Sequence, residues 1–160
     1  MVYFQLTHAH VTLMQNRLFN FKLAVSNEID RQLRVGIEEA KNEAYYDKLY
    51  ERYDADSIDS WLSDTLSELY DWANDTRNKL DEAYSTASST IINASKRKFY
   101  VSDIGYEIEY SLYNGEVSRQ VNYQSPNDVM FSWGGLSFEV DGVDFEVDLA
   151  EPEFTDWIED

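Results

Sequence analysis

Leu136-Ser-Phe-Glu-Val-Asp-Gly-Val-Asp-Phe-Glu-Val-Asp-Leu149 alternates apolar and polar residues on either side of Asp141-Gly142. Asp-Gly between two period-2 runs predicts a type I′ hairpin turn, because that turn needs positive φ at both central residues. The loop length sets the register: Val140 lies opposite Val143, Phe138 opposite Phe145 and Leu136 opposite Val147. One face is then wholly apolar. The other carries Glu139, Asp144, Glu146 and Asp148, with Asp141 at the tip. Glu139 stands directly against Asp144 with no Lys or Arg close in sequence, and like charges opposed across a strand pair destabilise it. Folding alone does not ask for that arrangement, so the acidic face is expected to meet something cationic.

Upstream, the same design repeats. Asn114-Gly115 predicts a second two-residue hairpin that pairs Leu112 with Val117, Tyr110 with Arg119, Ile108 with Val121 and Tyr106 with Tyr123. Its opposite face gathers Glu107, Glu109 and Glu116. Ser125-Pro-Asn-Asp128 is a turn, and Val129-Met-Phe-Ser-Trp133 leads through Gly134-Gly135 into the first hairpin. The reading is a four-stranded antiparallel meander that an N-terminal strand extends to five, with one face on the helices and the other solvated and acidic. Downstream of Leu149, Pro152 ends the strand, and Glu151, Glu153 and Asp156 interleave with Phe154, Trp157 and Ile158. Such a tail either closes on its own domain or docks as a linear motif into a basic-rimmed apolar groove.

The first part of the chain has a different period. Residues 2–13 alternate and predict a strand with His8 and His10 on one side. From Leu18 the apolar residues Phe21, Val25, Ile29, Leu33, Ile37, Ala40 and Ala44 follow at steps of three or four, predicting an amphipathic helix from about Gln15 to Arg52. Gly36 in its middle marks a bend or a close crossing. Asp56 or Ser57 caps a second helix, in which Ile58, Leu62, Leu69, Trp72, Leu80, Ala87, Ile91 and Ala94 keep the helical spacing up to Lys96-Arg97-Lys98. The two form a long antiparallel hairpin, elongated unless they break at Gly36 or in the Ser/Thr-rich stretch 84–90. The fold class is therefore α+β. Residues 1–98 hold the N-terminal strand and helical hairpin, and residues 99–160 the acidic sheet and tail, together as one structural unit.

Charge divides along the same line. Of 160 residues, 31 are acidic and 13 basic, a net charge of −18. Residues 1–53 are neutral, with seven of each sign, whereas residues 99–160 set fifteen acids against Arg119 alone. The acidity is regional, unlike a salt-adapted surface. Direct binding to nucleic acid or an anionic membrane is excluded, because phosphate contacts need clustered Lys and Arg. Cysteine is absent, which removes disulfide, zinc-thiolate and thiol-nucleophile chemistry and fits a reducing cytoplasm. No basic leader and no run of ~20 apolar residues is present, so the chain is expected to be soluble and unprocessed.

Catalytic and metal motifs fare poorly. His8 and His10 have no third ligand, and Asp54-Ala-Asp-Ser-Ile-Asp59 lacks the Gly and Glu that an EF-hand loop needs at its sixth and twelfth positions, where Asp59 and Thr65 stand. No phosphate-binding loop, dinucleotide fingerprint, nucleophile elbow or zinc-protease motif occurs. No metal and no cofactor are expected, nor an enzyme. What remains is electrostatic mimicry of nucleic acid. Outward carboxylates on a two-stranded ribbon give about one charge per ~3.3 Å, half the density of B-DNA at one per ~1.7 Å. The composition is similar to that of small phage-encoded DNA mimics. The expected function is a non-enzymatic inhibitor that occupies the cationic surface of a nuclease or other nucleic-acid-handling protein in the cytoplasm, that of the host if phage-encoded. Its contacts would come from Glu107, Glu109, Glu116, Glu139, Asp141, Asp144, Glu146, Asp148, Glu151, Glu153, Asp156 and Trp157. The alternative is a structural or assembly protein, such as a virion component, that forms a homodimer or larger oligomer through the helical hairpin.

Overall fold

Thr7 decides where the first helix starts. The computed structural model describes residues 2–48, 51–100, 106–113, 116–123, 129–133, 136–149, 153, 155 and 158–159. In it, Thr7 Oγ1 accepts a hydrogen bond from the main-chain N–H of His10 (3.2 Å) and Thr7 O accepts from that of Val11 (3.1 Å). That is N-capping by a threonine hydroxyl. Helix α1 therefore runs His8–Asn42, and the strand expected over residues 2–13 shrinks to β1, Val2–Phe4. The core explains the correction. Val11 and Met14 are buried and extend the stripe of Leu18, Phe21, Val25, Ile29 and Leu33 towards the N-terminus at helical spacing, so burial of one helix face overrides the period-2 alternation. Residues two apart on a helix point roughly 200° from each other. His8 is accordingly exposed and His10 buried, and the two imidazoles share no face.

Burial gives His10 a consequence for stability. Desolvation holds its imidazole below the ordinary value of 6.5, with Arg17 lowering it further and Glu153 acting the other way. The unfolded chain then binds a proton at His10 more readily than the folded chain. His10 imposes no penalty above pH ~6.5, and stability is lost as the pH falls through that value towards the lower folded one. Relief of the repulsion within a chain of net charge −18 acts in the opposite direction. Thermal melts at about pH 7.5 and 5.5 should therefore show a His10→Leu variant gaining relative to the parent chain on acidification, whatever its absolute melting temperature. Equal shifts in the two proteins would contradict the assignment.

After α1 a π-helical segment, Glu43–Lys48, leads to a turn in which Arg52 takes a left-handed φ of 65°. Helix α2 spans Ala55–Ser95 without a break at residues 84–90. Its cap is Asp54, upstream of the expected Asp56 or Ser57: Asp54 Oδ1 accepts from the Ser57 N–H at 2.7 Å and Asp54 O from the Ile58 N–H at 3.1 Å. That bond holds the Asp54 carboxyl below the usual range.

The chain divides into two compact units, Met1–Leu23 with Asp81–Asp160, and Ala24–Leu80, so the division by compactness cuts both helices while the division by charge falls near residue 98. Within Ala24–Leu80, α1 and α2 run antiparallel. Asp30 pairs with Arg77 at 2.6 Å, Gly36 lies against Leu69, and Ala40 and Ala44 form a buried cluster with Ile58 and Leu62, flanked by Trp61, Leu66 and Leu69. A Cβ on Gly36 would stand 2.9 Å from Leu69 Cδ2, so this glycine serves a close crossing. The Lys48 ammonium lies 5.1 Å from the centroid of the Tyr53 ring and 4.5 Å from that of Trp61, tying the two helix ends together. In the other unit, Lys22 pairs with Asp81 at 3.3 Å, over the Tyr84 ring. Met14, Leu18 and Phe21 of α1 and Ala87, Ile91 and Ala94 of α2 are buried there.

Among the described residues the strands form three sheets. β1 lies between β2, Phe99–Tyr100, and β8, Ile158–Glu159, both antiparallel to it. β3, Tyr106–Tyr113, pairs with β4, Glu116–Tyr123, in the register expected from Asn114-Gly115. β5, Val129–Trp133, then joins β3 in parallel, Ile108 beside Val129, instead of continuing an antiparallel meander. β6, Leu136–Val140, and β7, Val143–Val147, make a two-stranded antiparallel sheet of their own. Two long helices with these small sheets are the architecture; a single antiparallel sheet of four to five strands is not among the pairings of the described residues. Hairpin patterning predicts each local pair well, but nothing in alternation fixes which hairpin joins which. Among the described residues no helix is long and apolar enough to cross a membrane.

Candidate acidic interface

The β6–β7 hairpin follows its sequence closely. Asp141 and Gly142 have φ of 41° and 88°, and the paired residues are Val140–Val143, Glu139–Asp144, Phe138–Phe145, Ser137–Glu146 and Leu136–Val147. Leu136, Val140, Val147 and Leu149 are buried, Phe138, Val143 and Phe145 half-buried, and Glu139, Asp141, Asp144, Glu146 and Asp148 exposed. The alternation thus becomes an apolar inner face and a carboxylate outer face.

Local bonds distinguish the carboxylates. Glu139 Oε1 accepts from the Gly142 N–H at 3.3 Å, so this side chain braces the turn as well as facing solvent. Asp148 is fixed through its main chain, whose oxygen accepts from Arg17 Nη1 at 3.1 Å; this leaves the carboxylate exposed. Asp144 and Glu146 border an open depression of about 300 Å³ with Ser137, Phe138, Glu139 and Phe145. Three carboxylates at one depression suit a guanidinium or ammonium group, which would take charge-assisted hydrogen bonds from the oxygens.

The turn offers a clean test of the hairpin. Nothing lies within 4 Å of a Cβ built on Gly142, so a side chain there would be strained by its left-handed φ of 88° and not by any neighbour. Gly142→Val should destabilise the hairpin by about 1–2 kcal/mol, the penalty of a left-handed L-residue, whereas Asp141→Asn should be tolerated, since Asn accepts that region. Chemical denaturation of the two variants checks the order. A harmless Gly142→Val would mean that the turn is not type I′.

The other expected contacts are distributed differently. Glu107 and Glu109 stand in β3 opposite Asn122 and Gln120, and Glu116 in β4 opposite Tyr113, placed by backbone register. Their hairpin belongs to a separate sheet from β6–β7, so the pairing does not merge the two acidic hairpins into one ribbon. Glu153 is exposed on a tail whose backbone is tied to the N-terminal segment: Thr7 N donates to Glu153 O at 2.9 Å, Thr155 N to Gln5 O at 2.7 Å, and Gln5 N to Thr155 Oγ1 at 3.0 Å. That segment closes on its own domain there. Glu151, Asp156 and Trp157 lie outside the described residues.

One acidic feature escapes the division of charge by region. Asp64, Glu68, Asp71 and Asp75 are all exposed on α2. At i, i+4, i+7 and i+11 they share a face and span about 16 Å, one charge per ~4–5 Å. Like charges four apart destabilise a helix. The spacing is visible in the sequence, but the five basic residues of residues 54–98 mask it when charge is summed over the region. No protein-family model, curated protein or solved structure matches this chain.

Proposed function

We propose that the chain is a non-enzymatic acidic inhibitor of the DNA-mimic type. It would occupy the cationic nucleic-acid-binding surface of a nuclease or another nucleic-acid-handling protein in the cytoplasm, as a phage anti-defence protein would. The observation that carries the reading is the outer face of β6–β7, where Glu139, Asp144, Glu146 and Asp148 are exposed together and Glu139 is held opposite Asp144 at a cost to the hairpin. Arranging both acidic hairpins in one larger sheet would raise the density further, but β6–β7 does not need that to present four carboxylates. The stripe of Asp64, Glu68, Asp71 and Asp75 adds charge of the same sign.

Association with a cationic channel would be fast and strongly weakened by salt. The test is displacement of a labelled DNA duplex from a panel of purified nucleases and restriction enzymes. Release of duplex at about 50 mM salt, weakened roughly tenfold or more at about 200 mM, is the expected result. Failure to displace duplex from any of them, or displacement indifferent to salt, would count against the proposal.

A further inference from the structure

The exposed face of α1 in the Met1–Leu23 unit has the opposite character. From His8 to Asn27 the helix contains no acidic residue, in a chain with 31 of them. Phe19 and Leu23 are 54% and 50% exposed there, one turn apart, beside exposed Thr12 and Asn16. Its two cations are engaged elsewhere, Lys22 with Asp81 and Arg17 with the main chain of Asp148. The result is an uncharged, half-apolar strip on a molecule of net charge −18.

We propose that this strip is where two copies of the chain meet, independently of any inhibitory role. Charge selects the occupant. A cationic partner gains nothing from a face without carboxylates, whereas two copies of a strongly acidic chain can approach closely only where neither presents them. The strip is also self-complementary. A two-fold axis at the level of residue 21 places Phe19 of each helix on Leu23 of the other in an antiparallel crossing, with the uncharged Asn and Thr side chains at the rim. Four apolar side chains are well short of a standard interface of ~800 Å² per partner, so the dimer is reversible and dependent on concentration.

Salt gives this contact a distinctive signature. It screens repulsion between the copies while leaving apolar contact intact, so the dimer should strengthen with salt, whereas binding through the acidic face should weaken. Sedimentation equilibrium of the full chain across concentration, at about 50 and 500 mM salt, is the measurement. The expected result is a monomer–dimer equilibrium shifted towards dimer at high salt. Phe19→Glu should raise the dissociation constant at least tenfold with the helical circular dichroism unchanged. Leu13→Glu, roughly 100° round the helix from the strip, should change it less than threefold. Three results would overturn the proposal: a chain that is monomeric throughout, which leaves the strip to an uncharged partner or to solvent; a dimer that survives Phe19→Glu; or one that salt dissolves.

Discussion

Asp144→Lys combined with Glu146→Lys is expected to reduce affinity for a cationic partner by on the order of a hundredfold or more at low salt. The two side chains are exposed, border the same depression and sit at the centre of the outer face. Reversal removes two attractive charges and sets two repulsive ones against a basic surface. The hairpin should not suffer. Asp144 lies opposite Glu139, so Asp144→Lys turns an opposed like pair into an opposite pair, a change worth about 0.2–1 kcal/mol in favour of folding. Glu146 lies opposite Ser137, where a lysine meets no cation. Glu139 is left in place because its carboxylate braces the Gly142 N–H. The double variant should therefore melt no earlier than the parent chain while failing to displace duplex from the nuclease identified with that parent. A folded double variant that still displaces duplex with parental affinity would remove the acidic face from the mechanism.

That prediction rests on the part of the chain most legible from sequence. The β6–β7 register, the left-handed turn and the alternation of faces were all fixed by local chemistry: a two-residue Asp-Gly loop and a strict period of two. The β3–β4 register was legible for the same reason. Elements that depended on competition between signals were not. Residues 8–13 carry both an alternating pattern and the start of a helical stripe, and the outcome turned on Val11 and Met14 reaching the core and on a Thr7 cap. Parallel pairing of β5 with β3 is a non-local choice that no turn motif encodes. Among the acids, the hairpin set was visible because alternation singles it out. The α2 stripe was hidden because helical spacing scatters its members among uncharged neighbours.

Ile91→Ala should cost about 2–5 kcal/mol, and Ile92→Ala, the same change one residue on, less than about 1 kcal/mol. Ile91 is 0% exposed and Ile92 39% exposed on the same helix. Intrinsic helix propensity favours alanine over isoleucine equally at both positions, so it cancels in the comparison. What remains is the inward position. At Ile91 the deletion removes buried methyl and methylene groups and leaves a cavity among packed side chains, whereas at Ile92 it removes atoms already partly in water. Against a total stability of typically 5–15 kcal/mol, the first loss is large enough to lower the melting temperature by many degrees. Ile91→Val, which deletes a single methylene, should fall between them at about 0.5–1.5 kcal/mol. Urea denaturation of the three variants measures the order directly. Equal costs at residues 91 and 92 would mean that α2 does not present Ile91 to the core in solution, and with it would go the alignment of α2 that buries Ala87 and Ala94.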